Sequence, residues 1–130
     1  MLVGCNSSSV NEGPFTVEDL VGNWIGIRDD GEIAVSHTTD GNFVMILNED
    51  GTGLRGNTGR PNGVSPMTWE IRNGNHLYDI GDRITFRYII TLTDDGILRL
   101  LDFYMPQLTF GIYIRVDYIE ITDDMMWRED

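Results

Sequence analysis

The sequence predicts an all-β domain: a single small antiparallel up-and-down β-barrel of about eight strands, preceded by a short N-terminal helical turn. From Gly22 onward apolar residues alternate with polar ones, as in strands that bury one face. Turns that contain glycine separate the alternating segments. The 3.6-residue apolar repeat of a long helix does not occur in the sequence.

The first residues predict an anchor and a tether. Leu2-Val3-Gly4 before Cys5 resembles a bacterial lipobox, the signal for attaching lipid to the cysteine. Residues 6–13 have the polar composition of a flexible tether, so we expect a tether over 1–13 and the barrel domain over 14–130. The charged and apolar parts of a signal would lie upstream. Alternatively, Cys5, the only cysteine, is a free thiol near a flexible terminus.

The elements of the barrel follow in order along the chain. A helical turn is predicted over 16–20, where Thr16 can cap the first turn and Gly22 ends it. In the last strand the alternation changes phase near Tyr118, which predicts a β-bulge there. Strands are predicted at 22–28, 32–38, 42–48, 52–56, 65–72, 75–80, 83–92, 97–104 and 110–121.

Three connections predict tight hairpins because glycine stands where φ must be positive. They are Glu49-Asp50-Gly51, Asn73-Gly74 and Asp94-Asp95-Gly96. Residues 55–66 lack alternation and are rich in Gly, Asn and Pro, which predicts a mobile surface loop. Closure into a barrel would hide the strand edges, whereas a two-sheet sandwich, the alternative, needs longer crossovers.

The composition limits the domain count and the partners. A chain of 130 residues buries roughly two-thirds of its unfolded surface, enough for one core. Its 9 basic residues are all arginine and stand against 21 acidic ones, a net charge of −12. This charge excludes nucleic acid as a partner, because a phosphate backbone attracts basic surface.

Gly22-Asn23-Trp24 on the first strand resembles the Gly-x-Trp signature of lipocalins and other calycins. The Asp50-Gly51-Thr52-Gly53 turn and the strands at 67–71 and 75–77 resemble the lipocalin-like domains of bacterial lipoproteins. The resemblance covers about 17–121. The chain departs from the family in its short length and in ending, over 123–130, in a polar tail instead of a C-terminal helix.

The resemblance implies structural roles for three residues. In the family the tryptophan closes one end of the barrel and is covered by an arginine from the last strand. Arg115 matches that arginine, with Arg99 as second choice, because a guanidinium stacks well on an indole. Gly22, Trp24 and Arg115 are then expected to be structural.

Large aromatic and thioether side chains on several strands have two interpretations. They line a pocket for an apolar ligand, or they form a packed core, which we expect for most of them. The candidate pocket residues are Phe43, Met45, Trp69, Phe86, Tyr88, Phe103 and Tyr104.

No motif in the sequence predicts catalysis. His37 and His76 lack the paired spacing of a zinc site, and the acidic turns do not match a calcium loop. No nucleophile elbow occurs. Asp102 is the one acid expected to be buried, and a single acid is not the pair that glycoside hydrolysis requires. We expect no enzyme activity, no metal and no cofactor.

Together these patterns favour a monomeric, non-enzymatic protein of the bacterial cell envelope, held at the membrane by lipid on Cys5. Its expected ligand is a small hydrophobic molecule at the open end of the barrel. The alternative is a solid barrel whose loops, chiefly 55–66, bind a protein or a glycan. The two hypotheses differ in whether the barrel holds a cavity.

Overall fold

A computed structural model describes residues 10–28, 42–59, 61–81 and 83–127 of the chain. The elements are β1 (Val10–Asn11), α1 (Val17–Leu20), β2 (Gly22–Ile27), β3 (Phe43–Leu47), β4 (Thr52–Asn57), β5 (Val64–Arg72), β6 (His76–Ile80), β7 (Thr85–Thr93), β8 (Ile97–Asp102), β9 (Thr109–Val116) and a 3-10 turn at Asp123–Met125.

Strands β2 to β9 form a closed antiparallel barrel. Each strand pairs with its neighbours in sequence, and β9 closes the sheet by pairing with β2 as well as β8. The predicted all-β up-and-down barrel of about eight strands is therefore confirmed, and the sandwich is excluded. The helical turn is confirmed as α1, with Thr16 as its N-cap.

Two details of the predicted strands differ from the structure. The last strand ends at Val116, which pairs with Asn23, the second residue of β2, so little of β2 remains beyond this pair. The bulge predicted near Tyr118 is therefore wrong, and the register shift lies instead between Leu100 and Leu101. The strand predicted at 32–38 lies outside the described residues.

The two ends of the barrel are built differently. The β3–β4, β5–β6 and β7–β8 turns and α1 gather at one end, which we call the closed end. The three predicted hairpins are confirmed there, with positive φ at Gly51, Gly74 and Gly96. The other end, the open end, carries the β4–β5, β6–β7 and β8–β9 connections. The β4–β5 loop is shorter than the predicted 55–66, because β4 extends to Asn57 and β5 begins at Val64.

The core fills the closed half of the barrel. Inward side chains of β2, β3 and β5 to β8 pack with Phe15 and Leu20, which come from the segment around α1. Val10 and Asn11, which we predicted as tether, pair with Thr93 and Leu92 of β7 and so bring the N-terminal segment to the closed end. The buried core residues are Phe15, Leu20, Trp24, Met45, Leu47, Met67, Trp69, Leu77, Ile90, Leu98 and Leu100.

The chain after β9 packs on the outside of the barrel. Met126 forms a bridge with Val64, and the Trp127 N–H donates to the Val64 carbonyl at 2.7 Å. The Asn62 N–H donates to the Asp124 carbonyl at 3.0 Å. Val64 points outward in the register of β5 and is fully buried, so residues 123–127 of the predicted polar tail form a structural cover.

Candidate functional site at the open end of the barrel

Gly22 and Trp24 of the Gly-x-Trp segment lie at the closed end, where both pack against Arg115. Trp24 is fully buried, and its Nε1–H donates to the Leu20 carbonyl at 2.9 Å. The Arg115 guanidinium lies 4.4 Å from the Trp24 ring centre and donates to the Asp19 carbonyl at 2.8 Å. A Cβ at Gly22 would lie 2.7 Å from Arg115 Nε, so only glycine leaves room for this arginine. These contacts pack Trp24, Arg115 and Gly22 tightly against one another.

The open end holds a cavity of about 260 Å³. Two glycines create it: Gly26 and Gly111 occupy inward positions next to the inward Tyr113, where larger side chains would fill the space. Its rim is apolar and solvent-accessible, since Phe43 is 44% and Phe110 is 63% exposed. The lining residues are Gly26, Ile27, Phe43, Phe110, Gly111, Ile112 and Tyr113.

An ion pair lies inside the barrel, at the level of Met45 and Trp69, which are the register partners of Arg55 and Asp79. Asp79 of β6 is 3% exposed, and its Oδ2 is in contact with Nε of Arg55 on β4. Burial raises the pKa of Asp79 above its ordinary value, although the neighbouring Arg55 acts to lower it. The Arg55 guanidinium also lies 5.2 Å from the centre of the Phe86 ring.

Two tyrosines complete the polar part of the interior. Burial raises the pKa of Tyr88 to about 12, with the charge of Asp79 as the next cause. Burial and Asp79 also raise the pKa of Tyr113, in that order. Both phenols are therefore neutral hydrogen-bond donors near pH 7. The open end can contact an apolar surface and also exchange hydrogen bonds.

The seven predicted pocket residues divide into three groups. Phe43, Phe86 and Tyr88 face the interior toward the open end. Met45 and Trp69 are each 4% exposed and belong to the packed core. Phe103 and Tyr104 follow β8 outside the barrel, where both rings contact Arg87. Cys5 lies outside the described residues.

Among the described residues the buried acid is Asp79, and the prediction of Asp102 was wrong. Asp102 is half-buried and accepts the N–H groups of Tyr104 and Met105 at 2.8 and 2.7 Å, so it caps the β8–β9 connection. Asp79 alternates with the core residue Leu77, and this pattern could have identified it. The sequence around Arg55 carries no comparable signal.

A wider depression of about 600 Å³ lies over β4 and β5. It is more open to solvent than the cavity, and its lining includes the outward Leu54, Pro66 and Thr68 but no ionisable side chain. We therefore place the candidate site in the more enclosed cavity beside Tyr113.

Among the described residues, no three His, Cys, Asp or Glu side chains come together as metal ligands would. Within the same ranges, no helix has the length and apolar character that crossing a bilayer requires. A scan against protein-family models, a search of curated proteins and a search of solved structures each found no match to this chain.

Proposed function

We propose that this protein binds a small hydrophobic molecule, without catalysis, at the open end of its barrel. The cavity between Gly26, Gly111 and the exposed rings of Phe43 and Phe110 carries the proposal. Most ligand pockets measure roughly 300–1,000 Å³, so a cavity of about 260 Å³ fits a ligand smaller than a typical drug.

We further propose that the protein is a monomeric lipocalin-like lipoprotein of the bacterial cell envelope. Support comes from the lipobox-like residues before Cys5, the closed barrel, and the Gly22-Asn23-Trp24 segment covered by Arg115. Metabolic labelling with palmitate in a bacterial host tests the anchor. The wild-type chain, with its natural upstream sequence, should incorporate label, and the Cys5→Ser variant should not. Equal labelling of both proteins would contradict the anchor.

Non-denaturing mass spectrometry tests ligand binding. The full chain carrying Cys5→Ser is incubated with a lipid and metabolite extract of its source cells and then exchanged into volatile buffer. We expect a stoichiometric adduct. An apo mass that persists across extracts would contradict the proposal.

A matched pair of variants locates the adduct. A Cβ at Gly111 would lie 2.8 Å from the Tyr113 ring, so Gly111→Val pushes that ring into the cavity and should abolish the adduct. Thr109→Val places the same new residue type at an exposed position of the same strand with almost no change in volume, and should leave the adduct intact. An adduct retained by Gly111→Val would place binding elsewhere.

A second candidate function is a scaffold whose open-end loops bind a protein or glycan. It is favoured by the apolar side chains that the β8–β9 connection exposes, with Tyr104 74%, Met105 48% and Leu108 51% accessible. Absence of any small-molecule adduct, with retention of the chain on a glycan array or by a purified envelope protein, would support this alternative.

A further inference from the structure

The neighbours of the polar pair in the sheet are mostly apolar. Arg55 lies between Met45 and Ser65, and Asp79 lies between Trp69 and Phe86. Desolvating two charges is costly, and a packed apolar pair of similar volume would often serve stability equally well. The presence of Arg55 and Asp79 at inward positions therefore points to a role beyond packing.

Two atoms of this pair are buried without a hydrogen-bond partner among the described residues. They are Asp79 Oδ1, an acceptor, and Arg55 Nε, a donor, which contacts Asp79 Oδ2 without hydrogen-bond geometry. Buried polar atoms almost always have partners. One unsatisfied acceptor next to one unsatisfied donor fits a ligand group that can both donate and accept, such as a hydroxyl or a primary amide.

The charge of the pair limits the charge of the ligand. The guanidinium of Arg55 and the carboxylate of Asp79 sum to zero. In an interior of low polarity, a charged ligand head group would leave one charge uncompensated. An uncharged head group avoids this cost while still forming both hydrogen bonds.

The exposure of the pair indicates the direction of approach. The Arg55 side chain is 31% exposed and that of Asp79 only 4%, so the pair is nearer to solvent on its Arg55 side. Phe43 neighbours Met45 along β3 and lines the cavity together with Tyr113. The Arg55 guanidinium lies 5.2 Å from the centre of the Phe86 ring, and Phe86 stacks on Tyr88 with ring centres 6.4 Å apart. The Tyr88 ring in turn contacts the cavity residue Phe110 at 5.4 Å, so a row of rings connects the pair to the cavity.

We propose that the ligand is an uncharged amphiphile, an alcohol or a primary amide on an apolar chain. Its head group donates to Asp79 Oδ1 and accepts from Arg55 Nε, and its chain lies against the rings of the cavity. This inference rests on the proposed function and adds the chemical class of the ligand.

Isothermal titration of the full chain carrying Cys5→Ser tests this class with ligands of matched length. The probes are 1-octanol, octanamide, octanoate, octylamine and the ether 1-methoxyheptane, which has an acceptor but no donor. We expect 1-octanol and octanamide to bind at least about tenfold more tightly than the other three, the effect of one hydrogen bond to a charged group.

The double variant Arg55→Met/Asp79→Leu shows whether the pair causes the preference. Its apolar replacements are close in volume, so the barrel should fold. The ratio of affinities for 1-octanol and the ether should fall to about one, since the variant removes both polar partners. Circular dichroism of the variant provides the folding control.

Two results would overturn the inference and leave the proposed function standing: tightest binding of octanoate or octylamine, or equal binding of 1-octanol and the ether by the wild type. Failure of every probe to bind, together with no adduct from cell extract, would instead overturn the proposed function itself.

Discussion

Asp79 is a carboxylate in an environment that disfavours its charged form. Its pKa in the folded protein is raised above 3.8, because desolvation outweighs the attraction of Arg55. The unfolded chain therefore loses this proton at lower pH than the folded protein does. The contribution of Asp79 to stability is largest below about pH 3.8 and is lost as pH rises through the folded pKa.

The raised pKa of Asp79 predicts how the stability of Asp79→Asn, whose side chain does not ionise, compares with that of the wild type as pH changes. The difference in Tm, variant minus wild type, should increase between pH 3 and pH 7, as ionisation of Asp79 destabilises only the wild type. Thermal unfolding followed by circular dichroism across this range measures the difference. A difference that decreases with pH would show that Arg55 more than compensates the buried charge.

Arg115 should contribute to stability through two contacts at the closed end. Arg115→Met removes the stacking on Trp24 and the hydrogen bond to the Asp19 carbonyl, and should lower the free energy of unfolding by about 1–2 kcal/mol. Arg99→Met, on the neighbouring strand, is the matched control and should change it by less than about 0.5 kcal/mol. Urea denaturation measures both, and equal effects would argue against a special role for Arg115.

Among the elements, the segment after β9 should stabilise the barrel by packing on the outward side chain of Val64. A chain that ends at Ile121 uncovers Val64 and should lose about 2 kcal/mol of unfolding free energy. A chain that ends at Trp127 keeps the contacts and should match the full chain in urea denaturation. Equal stability of the two truncated chains would mean that the segment does not stabilise the barrel.

The success of sequence reasoning differed between elements for physical reasons. Alternation and turn glycines act locally, so the strands and the hairpins at Gly51, Gly74 and Gly96 could be predicted. The end of β9 and the cover on Val64 depend on partners distant in sequence, which periodicity does not report. Within the site, Phe43 and Phe86 could be proposed from type and alternation, whereas the meeting of Arg55 with Asp79 is set by register across three strands.

At the scale of the whole molecule, the placement of the N-terminal segment predicts how an anchored barrel is oriented. Val10 pairs with β7 at the closed end, and Cys5 lies five residues earlier. At roughly 3.5 Å per residue, a fully extended chain would place Cys5 at most about 18 Å from Val10. A lipid on Cys5 would therefore hold the closed end near the membrane and direct the cavity away from it.

Fluorophores attached to single cysteines test this orientation in acylated protein on liposomes. A probe at Asp94→Cys, in a closed-end turn, should be quenched by head-group nitroxide lipids more than a probe at Leu108→Cys, in the β8–β9 connection. Acylation of Cys5 keeps that thiol from reacting with the fluorophore. Stronger quenching at Leu108→Cys would mean that the cavity faces the membrane.

The central claim is that the open end of the barrel binds a small amphiphile. The most direct test of this claim is to measure amide chemical shifts of the ¹⁵N-labelled full chain carrying Cys5→Ser. On addition of 1-octanol, the account predicts saturable shifts centred on Gly26, Gly111 and Tyr113 and none at Trp24 or Leu47 of the closed end. Shifts centred on the closed end, or an unchanged spectrum at saturating 1-octanol, would contradict it.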